Sequence, residues 1–200
     1  EGSPKFVSGI AVHPENGRLY VCNEASHELW VLNAETLAVE ATVPTGTSSC
    51  ATSREPDWAL IDLDPGTDTT WDQLLLLAKL HQTALEHLEL QAGVKVTGKR
   101  GIQIWIPVEP GLSFDDTLAW VEQLSLMVGR LVPDIVSWAW SKSERGGKAR
   151  LDYTQNIRNK TLVGPFSPRA VAGGPVSVPL TWDELDDPDL APDRWTVHTL

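Results

Sequence analysis

The sequence predicts an α+β fold with a largely antiparallel sheet, and three observations carry that expectation. Strand and helix signals are mixed along the 200 residues without strict β-α alternation. Thr70-Trp71-Asp72-Gln73 reads as a capping box, and Ser113-Phe114-Asp115-Asp116 reads as a second helix start. Short apolar or alternating runs, bounded by Gly and Pro, surround the two helices.

The elements follow in order. Residues 6–46 form three strand-and-turn units: 6–14, 17–24 and 29–34. A fourth, Ala38 to Pro44, follows them. Leu29, Val31, Val39 and Val43 alternate as strand residues with an apolar face. Leu29 to Thr42 also reads as a strand and helix preceding the next motif. Thr45 to Ser53, rich in Thr, Ser and Gly, reads as a linker between a β-rich segment, 1–50, and a second domain, 51–200. Ala59 to Asp64 reads as a short buried strand ending in Pro65-Gly66. The helix opened by Thr70 runs to about Leu90, with Trp71, Leu74, Ala78, Leu85 and Leu88 on one stripe. Ile102 to Val108 alternates like a half-buried strand. The second helix is ended by Pro133. Val136–Trp140, Arg150–Tyr153 and Thr161–Pro165 read as further strands.

Composition sets bounds on function. Apolar content of 42% is ample for a core, and 200 residues suit one domain or one domain with an appendage. Nine Trp is a high count, and an exposed indole can stack on a base. The two cysteines, Cys22 and Cys50, support neither a disulfide framework nor a zinc site. No signal peptide is visible and no apolar run approaches the ~20 residues of a membrane span. A cytoplasmic, nucleoid-associated protein is expected. The net charge of −11 argues against nucleic-acid binding at first sight. Its distribution reverses that: residues 141–170 carry seven basic side chains against two acidic ones. A local +5 field suits a polyanionic substrate. The acidic stretch Asp183 to Asp193 reads as a solvated turn region.

Chemistry concentrates in three aspartates. Side chains two apart on a strand point the same way, so Asp62 and Asp64 face one site. Asp152, in Ala149-Arg150-Leu151-Asp152-Tyr153-Thr154-Gln155-Asn156, can join them from a second strand. Three carboxylates at one place repel unless a cation neutralises them. Magnesium and manganese take oxygen ligands and share them with substrate phosphates. Gly98 and Gly101 flank Lys99-Arg100 and allow backbone amides close to a phosphate. His81 and His87 lie six apart on one helix, on different faces, and make no metal pair.

Several ordered motifs share one resemblance. They are Asp62-Leu63-Asp64-Pro65, Thr97-Gly98-Lys99-Arg100-Gly101-Ile102-Gln103, the Asp152 motif, Ser167-Pro168-Arg169 and Pro179-Leu180-Thr181-Trp182-Asp183-Glu184-Leu185. Together, over about 52–200, they resemble the polymerase domain of bacterial ligase D, of the archaeo-eukaryotic primase superfamily. The resemblance implies a primase-polymerase fold and a Mg2+ or Mn2+ triad of Asp62, Asp64 and Asp152. It implies triphosphate contacts from Thr97, Arg100, Gln103, Arg145 and Arg169, with Gln155 supporting Asp152. Two departures stand out. The family's second motif begins with Ser and ends with His, where this chain has Thr97 and Gln103. The family's His in the strand before the first aspartates has no counterpart between His27 and His81. Residues 6–46 instead resemble one repeat of a Tyr-Val-Thr-Asn type β-propeller, written here Tyr20-Val21-Cys22-Asn23. One blade cannot close a propeller.

The resemblance implies metal-dependent nucleotidyl transfer in DNA end-joining repair. The expected partners are DNA ends or primer-template, nucleoside triphosphates, a DNA ligase and an end-binding protein. Two other classes compete: a nucleotide or nucleic-acid binding module without turnover, and a propeller-type scaffold.

Overall fold

The computed structural model describes residues 7–13, 17–23, 28–44, 55–158, 160 and 162–200. It contains two sheets. The first is a meander of β1 (Val7–His13), β2 (Arg18–Asn23), β3 (Glu28–Asn33) and β4 (Val39–Pro44), each antiparallel to the next. The β3–β4 turn is closed locally: Asn33 Oδ1 accepts the amides of Glu35 and Thr36 at 3.0 and 2.9 Å. A short polar side chain that bonds its own backbone two residues on sets such a turn. Leu29 to Thr42 is therefore strand, turn and strand, with no helix. The expected linker, Thr45 to Ser53, lies outside the described residues.

The second sheet carries the helices. It comprises β5 (Trp58–Asp64), β6 (Gly93–Val96), β7 (Ile102–Pro107), β8 (Arg150–Asp152) and β9 (Val178–Leu180). The order is β8-β5-β7-β6-β9, and every pairing is antiparallel. Helix α1 (Trp71–His87) starts at the Thr70 capping box, and α2 (Phe114–Leu131) at a capping box on Ser113 and Asp116. Strand pairing joins the members of each sheet only to one another.

One face of the second sheet makes the core. Ala59, Ile61 and Leu63 of β5 join Ile102, Ile104 and Ile106 of β7, Val94 and Val96 of β6, and Leu151 of β8. Leu74, Leu77, Ala78 and Leu85 of α1 and Val121, Leu124 and Val128 of α2 complete the same cluster. The alternation along each strand thus assigns one set to the helices and leaves the other for chemistry.

Several expectations need correcting. Helix α1 ends at His87, and Leu88 is 48% exposed, off the buried stripe. Leu77 and His81 occupy that stripe instead. Residues 136–140 form no strand; Val136 makes only an isolated parallel bridge to Ala149. Residues 162–165 form none either, and Thr161 lies outside the described residues. β7 is buried on both faces over Ile102–Ile104, not half-buried. The short strands β6 and β9 were not expected. The acidic stretch near the C-terminus is not wholly solvated, because Leu185 and Leu190 anchor it in the core.

Candidate active site

Strand register builds the floor of the site. Asp62 of β5 stands directly opposite Asp152 of β8 on one side and Gln103 of β7 on the other. Gln103 stands opposite Lys95 of β6. Directly opposed residues of antiparallel strands share a face, with Cβ atoms about 5 Å apart. Asp152, Asp62, Gln103 and Lys95 therefore form one row across four strands. Asp64, one pleat along β5, shares the face and stands opposite Arg150. β8 is three residues long, and Asn156 extends its grip: Nδ2 donates to the Leu60 carbonyl and Oδ1 accepts the Leu60 amide, both at 2.7 Å.

Each carboxylate has a distinct partner. Gln103 Nε2 donates to Asp62 Oδ1 at 3.1 Å. Arg145 Nη1 donates to Asp64 Oδ2 at 2.7 Å. Asp152 accepts from the Thr154 amide (3.1 Å), the Thr154 hydroxyl (2.6 Å) and Gln155 Nε2 (3.0 Å), with Arg150 at 3.6 Å. Burial, reinforced by the charges of Asp64 and Asp152, pushes the Asp62 carboxyl up to about 6, although the Gln103 bond opposes the shift. Burial pulls the Lys95 ammonium down to about 8 against the attraction of Asp62.

The donor chemistry fits a divalent cation. The three aspartates supply hard oxygen donors, and the mutual repulsion seen at Asp62 is what a cation would relieve. Gln103 Oε1 is buried without a hydrogen-bond partner, a second sign of an unmet electropositive need. Among the described residues, however, no three acidic, His or Cys side chains are gathered as a ready ligand set. Asp64 and Asp152 are instead held by Arg145, Thr154 and Gln155.

Asp62 and Gln103 of the row open into a cleft of about 310 Å³, which Asp152 and Lys95 do not line. Asp62, Asp64, Thr97, Arg100, Gln103, Gln155 and Arg169 all line it, and Lys99 and Lys142 add two cations. Thr97 uses its hydroxyl to close the 97–101 turn, donating to the Gly101 carbonyl (3.1 Å) and accepting the Gly101 amide (3.2 Å). Gly98 takes a φ of +72°, and a Cβ there would lie 2.8 Å from the Val176 backbone, so glycine is required. Arg100 Nη2 reaches the Gly66 carbonyl at 2.7 Å. A Cβ on Gly66 would overlap the Gly147 carbonyl at 2.1 Å. That close approach seats the loop after Asp64 against the loop that carries Arg145. Arg145 is not a free cleft cation. Its guanidinium is buried, with Nε and Nη2 bonded to the carbonyls of Ala139 (3.2 Å) and Trp140 (3.3 Å).

Sequence reasoning missed Lys95, Ser177 and Asn156 as site residues. Lys95 Nζ donates to the Val163 carbonyl (2.9 Å) and to Ser177 Oγ (2.8 Å). Ser177 Oγ in turn donates to the Val96 carbonyl at 2.9 Å. The wall of the cleft at 162–163 is thereby tied to β6. The alternation Val94-Lys95-Val96 was the available signal. It places the lysine on the polar face of an otherwise apolar strand.

Comparison with known proteins follows this geometry. The family described as LigD, primase-polymerase domain, matches residues 2–200, so the match includes the first sheet as well as the motif-bearing region. The multifunctional non-homologous end joining protein LigD of Pseudomonas aeruginosa is 33% identical over 156 residues, 78% of this chain and 18% of that protein. The bifunctional non-homologous end joining protein LigD of Bacillus subtilis is 29% identical over 199 residues, 99% of this chain and 31% of that protein. The chain thus spans less than a third of the length of these curated relatives. Its fold is similar to the polymerase domain of Mycobacterium tuberculosis ligase D, solved in complex with DNA. That match has a TM-score of 0.64 at 21% identity, over 95% of this chain and 68% of the other.

Proposed function

This chain belongs to the LigD primase-polymerase domain family, and on that premise we propose that it adds nucleotides to DNA ends as a divalent-metal-dependent nucleotidyltransferase in end-joining repair. The observation that carries the reading is the row Asp152–Asp62–Gln103, of which Asp62 and Gln103, with Asp64 one pleat away, line a cation-rimmed cleft. In the reaction a primer 3′-hydroxyl attacks the α-phosphorus of a nucleoside triphosphate. The bond to the bridging oxygen breaks and pyrophosphate leaves. Asp62, Asp64 and Asp152 would hold Mg2+ or Mn2+, which supplies charge neutralisation at the reacting phosphate.

The chain's own residues do the positioning. Gln103 orients Asp62, Arg145 holds Asp64, and Thr154 with Gln155 holds Asp152. Lys99, Arg100, Lys142 and Arg169 face the cleft and receive the triphosphate. Arginine there can grip phosphate through parallel hydrogen bonds. Such fixed charge, aimed where the transition state is most negative, is the protein's main contribution. A ligase and an end-binding protein are natural partners, because the curated relatives are end-joining proteins several times longer than this chain.

A second reading is a nucleotide or nucleic-acid binding module without turnover. It is favoured by the engagement of Asp64 and Asp152 with protein donors and by Gln103, which cannot carry the charge of the family's histidine. Primer extension with Mn2+ separates the two. Extension by the wild-type chain that is lost in Asp62→Ala and in chelator supports the enzyme. Binding of DNA and nucleotide with no extension supports the module.

A further inference from the structure

Trp140 is 68% exposed, the most exposed tryptophan among the described residues, and it stands at the edge of the site. Its backbone is fixed by the arginines that serve the aspartates. The Trp140 carbonyl accepts from Arg145 Nη2 at 3.3 Å. The Ala139 carbonyl accepts from Arg145 Nε at 3.2 Å and Arg150 Nη1 at 3.4 Å. Arg145 ends on Asp64 and Arg150 lies beside Asp152. The buried guanidinium of Arg150 also covers one side of the indole, 4.5 Å from the ring centroid. A cation at that distance over the ring holds it in place. Arg150 stands over the ring, and the 68% exposure leaves indole surface available to a partner.

The surroundings select the occupant. Ser141, Lys142 and Ser143 follow Trp140, with Ser141 Oγ and Ser143 Oγ 2.7 Å apart, so the chain that continues from the indole is polar. A protein partner would need a broader apolar core. A single flat base needs only one rigid aromatic face and a nearby cation for its phosphate. Lys142, two residues along, lines the catalytic cleft and supplies that cation. The segment 141–170 is locally +5 in a chain of net −11, so a polyanion is drawn to this side. The neighbouring Trp138 has a different task. It lies over Gly129, where a Cβ would come within 2.5 Å of its ring, and against Tyr153 at 6.4 Å between centroids.

We propose that the exposed indole surface of Trp140 stacks on an unpaired base of the DNA strand entering the cleft. The inference rests on the polymerase reading for the identity of its ligand. Its test is a binding measurement, which requires no turnover.

Fluorescence anisotropy of a labelled duplex with a single-stranded 3′ overhang is the direct measurement. Trp140→Ala should weaken binding about tenfold, within the range measured for one base–aromatic stack. Trp140→Phe, which keeps a ring, should retain most of the affinity, and Trp140→Leu should resemble alanine. An overhang of abasic residues should weaken wild-type binding and erase the difference between wild type and Trp140→Ala. The apparent nucleotide KM at saturating DNA should not change. Wild-type affinity in Trp140→Leu, or an abasic overhang that still distinguishes Trp140→Ala, would overturn the proposal. So would a wild-type protein that binds no overhang. A protein that binds the overhang through Trp140 yet extends no primer keeps the stacking and defeats the polymerase reading. Primer extension by a protein whose Trp140→Ala variant binds DNA unchanged defeats the stacking alone.

Discussion

On β5, Ala59, Ile61 and Leu63 face the helices, while Asp62 and Asp64 face the cleft. The two sets are separated by single residues, and a one-residue slip in register would exchange them. The helix side is apolar and closely filled, and it supplies the favourable free energy of burial. The cleft side works against it. Asp62 is held with its carboxyl pushed up to about 6 by burial and by two like charges. Lys95 is held with its ammonium pulled down by burial. The contrast teaches that the site is imposed by the register of its neighbours and not by any preference of its own.

The sharpest break in that contrast comes from one substitution on each face. Leu63 is fully buried, and Leu63→Ala should destabilise the fold by about 2–5 kcal/mol, read as a loss in denaturant midpoint. Asp62→Asn, one residue away, should do the opposite. Primer extension should fall at least ~10²-fold, because the proposed function makes this carboxylate a metal ligand. Yet in chelator near pH 7.5 the variant should melt higher than wild type, because a strained charge is removed. A lower melting temperature for Asp62→Asn would mean that the carboxylate is relaxed by its surroundings and that the contrast is mistaken.

The two sides also titrate with opposite signs. His81, in the buried stripe of α1, donates from Nδ1 to the Leu77 carbonyl at 2.7 Å and leaves Nε2 without a partner. Burial pulls its imidazole down from 6.5 to about 4. Between those values the unfolded chain binds the extra proton, so the His81 contribution is present above pH 6.5 and lost as pH falls toward 4. Asp62 is raised from 3.8 to about 6, so between those values the folded chain binds the extra proton. Its contribution is present below pH 4 and lost as pH rises through 6. Each swing is about 3 kcal/mol by the free energy of a pKa shift. In metal-free buffer the two oppose each other, and the wild-type profile between pH 4 and 6.5 should be flattened. Relative to wild type, His81→Leu should lose stability with rising pH in this window, and Asp62→Asn should gain it. Parallel profiles for all three proteins would show that neither group titrates as its surroundings imply.

The proposed nucleotide contacts give a smaller effect. Arg169 and Arg100 line the cleft, whereas Arg145 is fully bonded within the protein. Arg169→Ala should raise the apparent nucleotide KM about tenfold with little change in kcat. Arg145→Ala should instead lower kcat and the melting temperature together, because it releases Asp64 and takes the donor from the Trp140 carbonyl, while Ala139 keeps Arg150. Equal KM effects from both would place Arg145 back among the phosphate contacts.

Much of this was legible in the sequence for physical reasons that are local. Capping boxes marked both helix starts, and a two-residue period put Asp62 and Asp64 on one face. What escaped was non-local or short. A second strand bringing Asp152 to Asp62 was expected, but the lock on that pairing across 90 residues, the Asn156 side chain on Leu60, was not. β9 holds Pro179 at its centre, which a strand tolerates at a sheet edge but which masks it in a sequence. Residues 136–140 alternate like a strand, yet their carbonyls serve Arg145 and Arg150 in place of a ladder. The first sheet was legible as strands because each pairs with its neighbour in sequence.

The finest test of the contrast is Lys95, the one buried lysine in the row. Its ammonium bonds the Val163 carbonyl and Ser177 Oγ, and Ser177 also holds the segment 163–167, here the strap: its carbonyl accepts the Phe166 amide (2.6 Å) and its amide donates to the Ser167 carbonyl (3.0 Å). Arg169 follows that strap, and its amide donates to the Pro175 carbonyl at 2.7 Å. On the proposed function, Lys95 would act by fixing the cleft wall that carries Arg169, as a positioning residue. Lys95→Met fills the same volume, removes a desolvated charge and leaves the Ser177–Val96 bond in place. Stability should change by less than about 1 kcal/mol, since the lost bonds and the relieved burial offset each other. The apparent nucleotide KM should rise severalfold while kcat stays within about twofold. The double variant with Arg169→Ala should show little further rise, because both changes act through one contact. A kcat loss equal to that of Asp62→Asn would instead assign Lys95 to the chemistry beside Asp62, and additive KM effects would free it from the Arg169 wall.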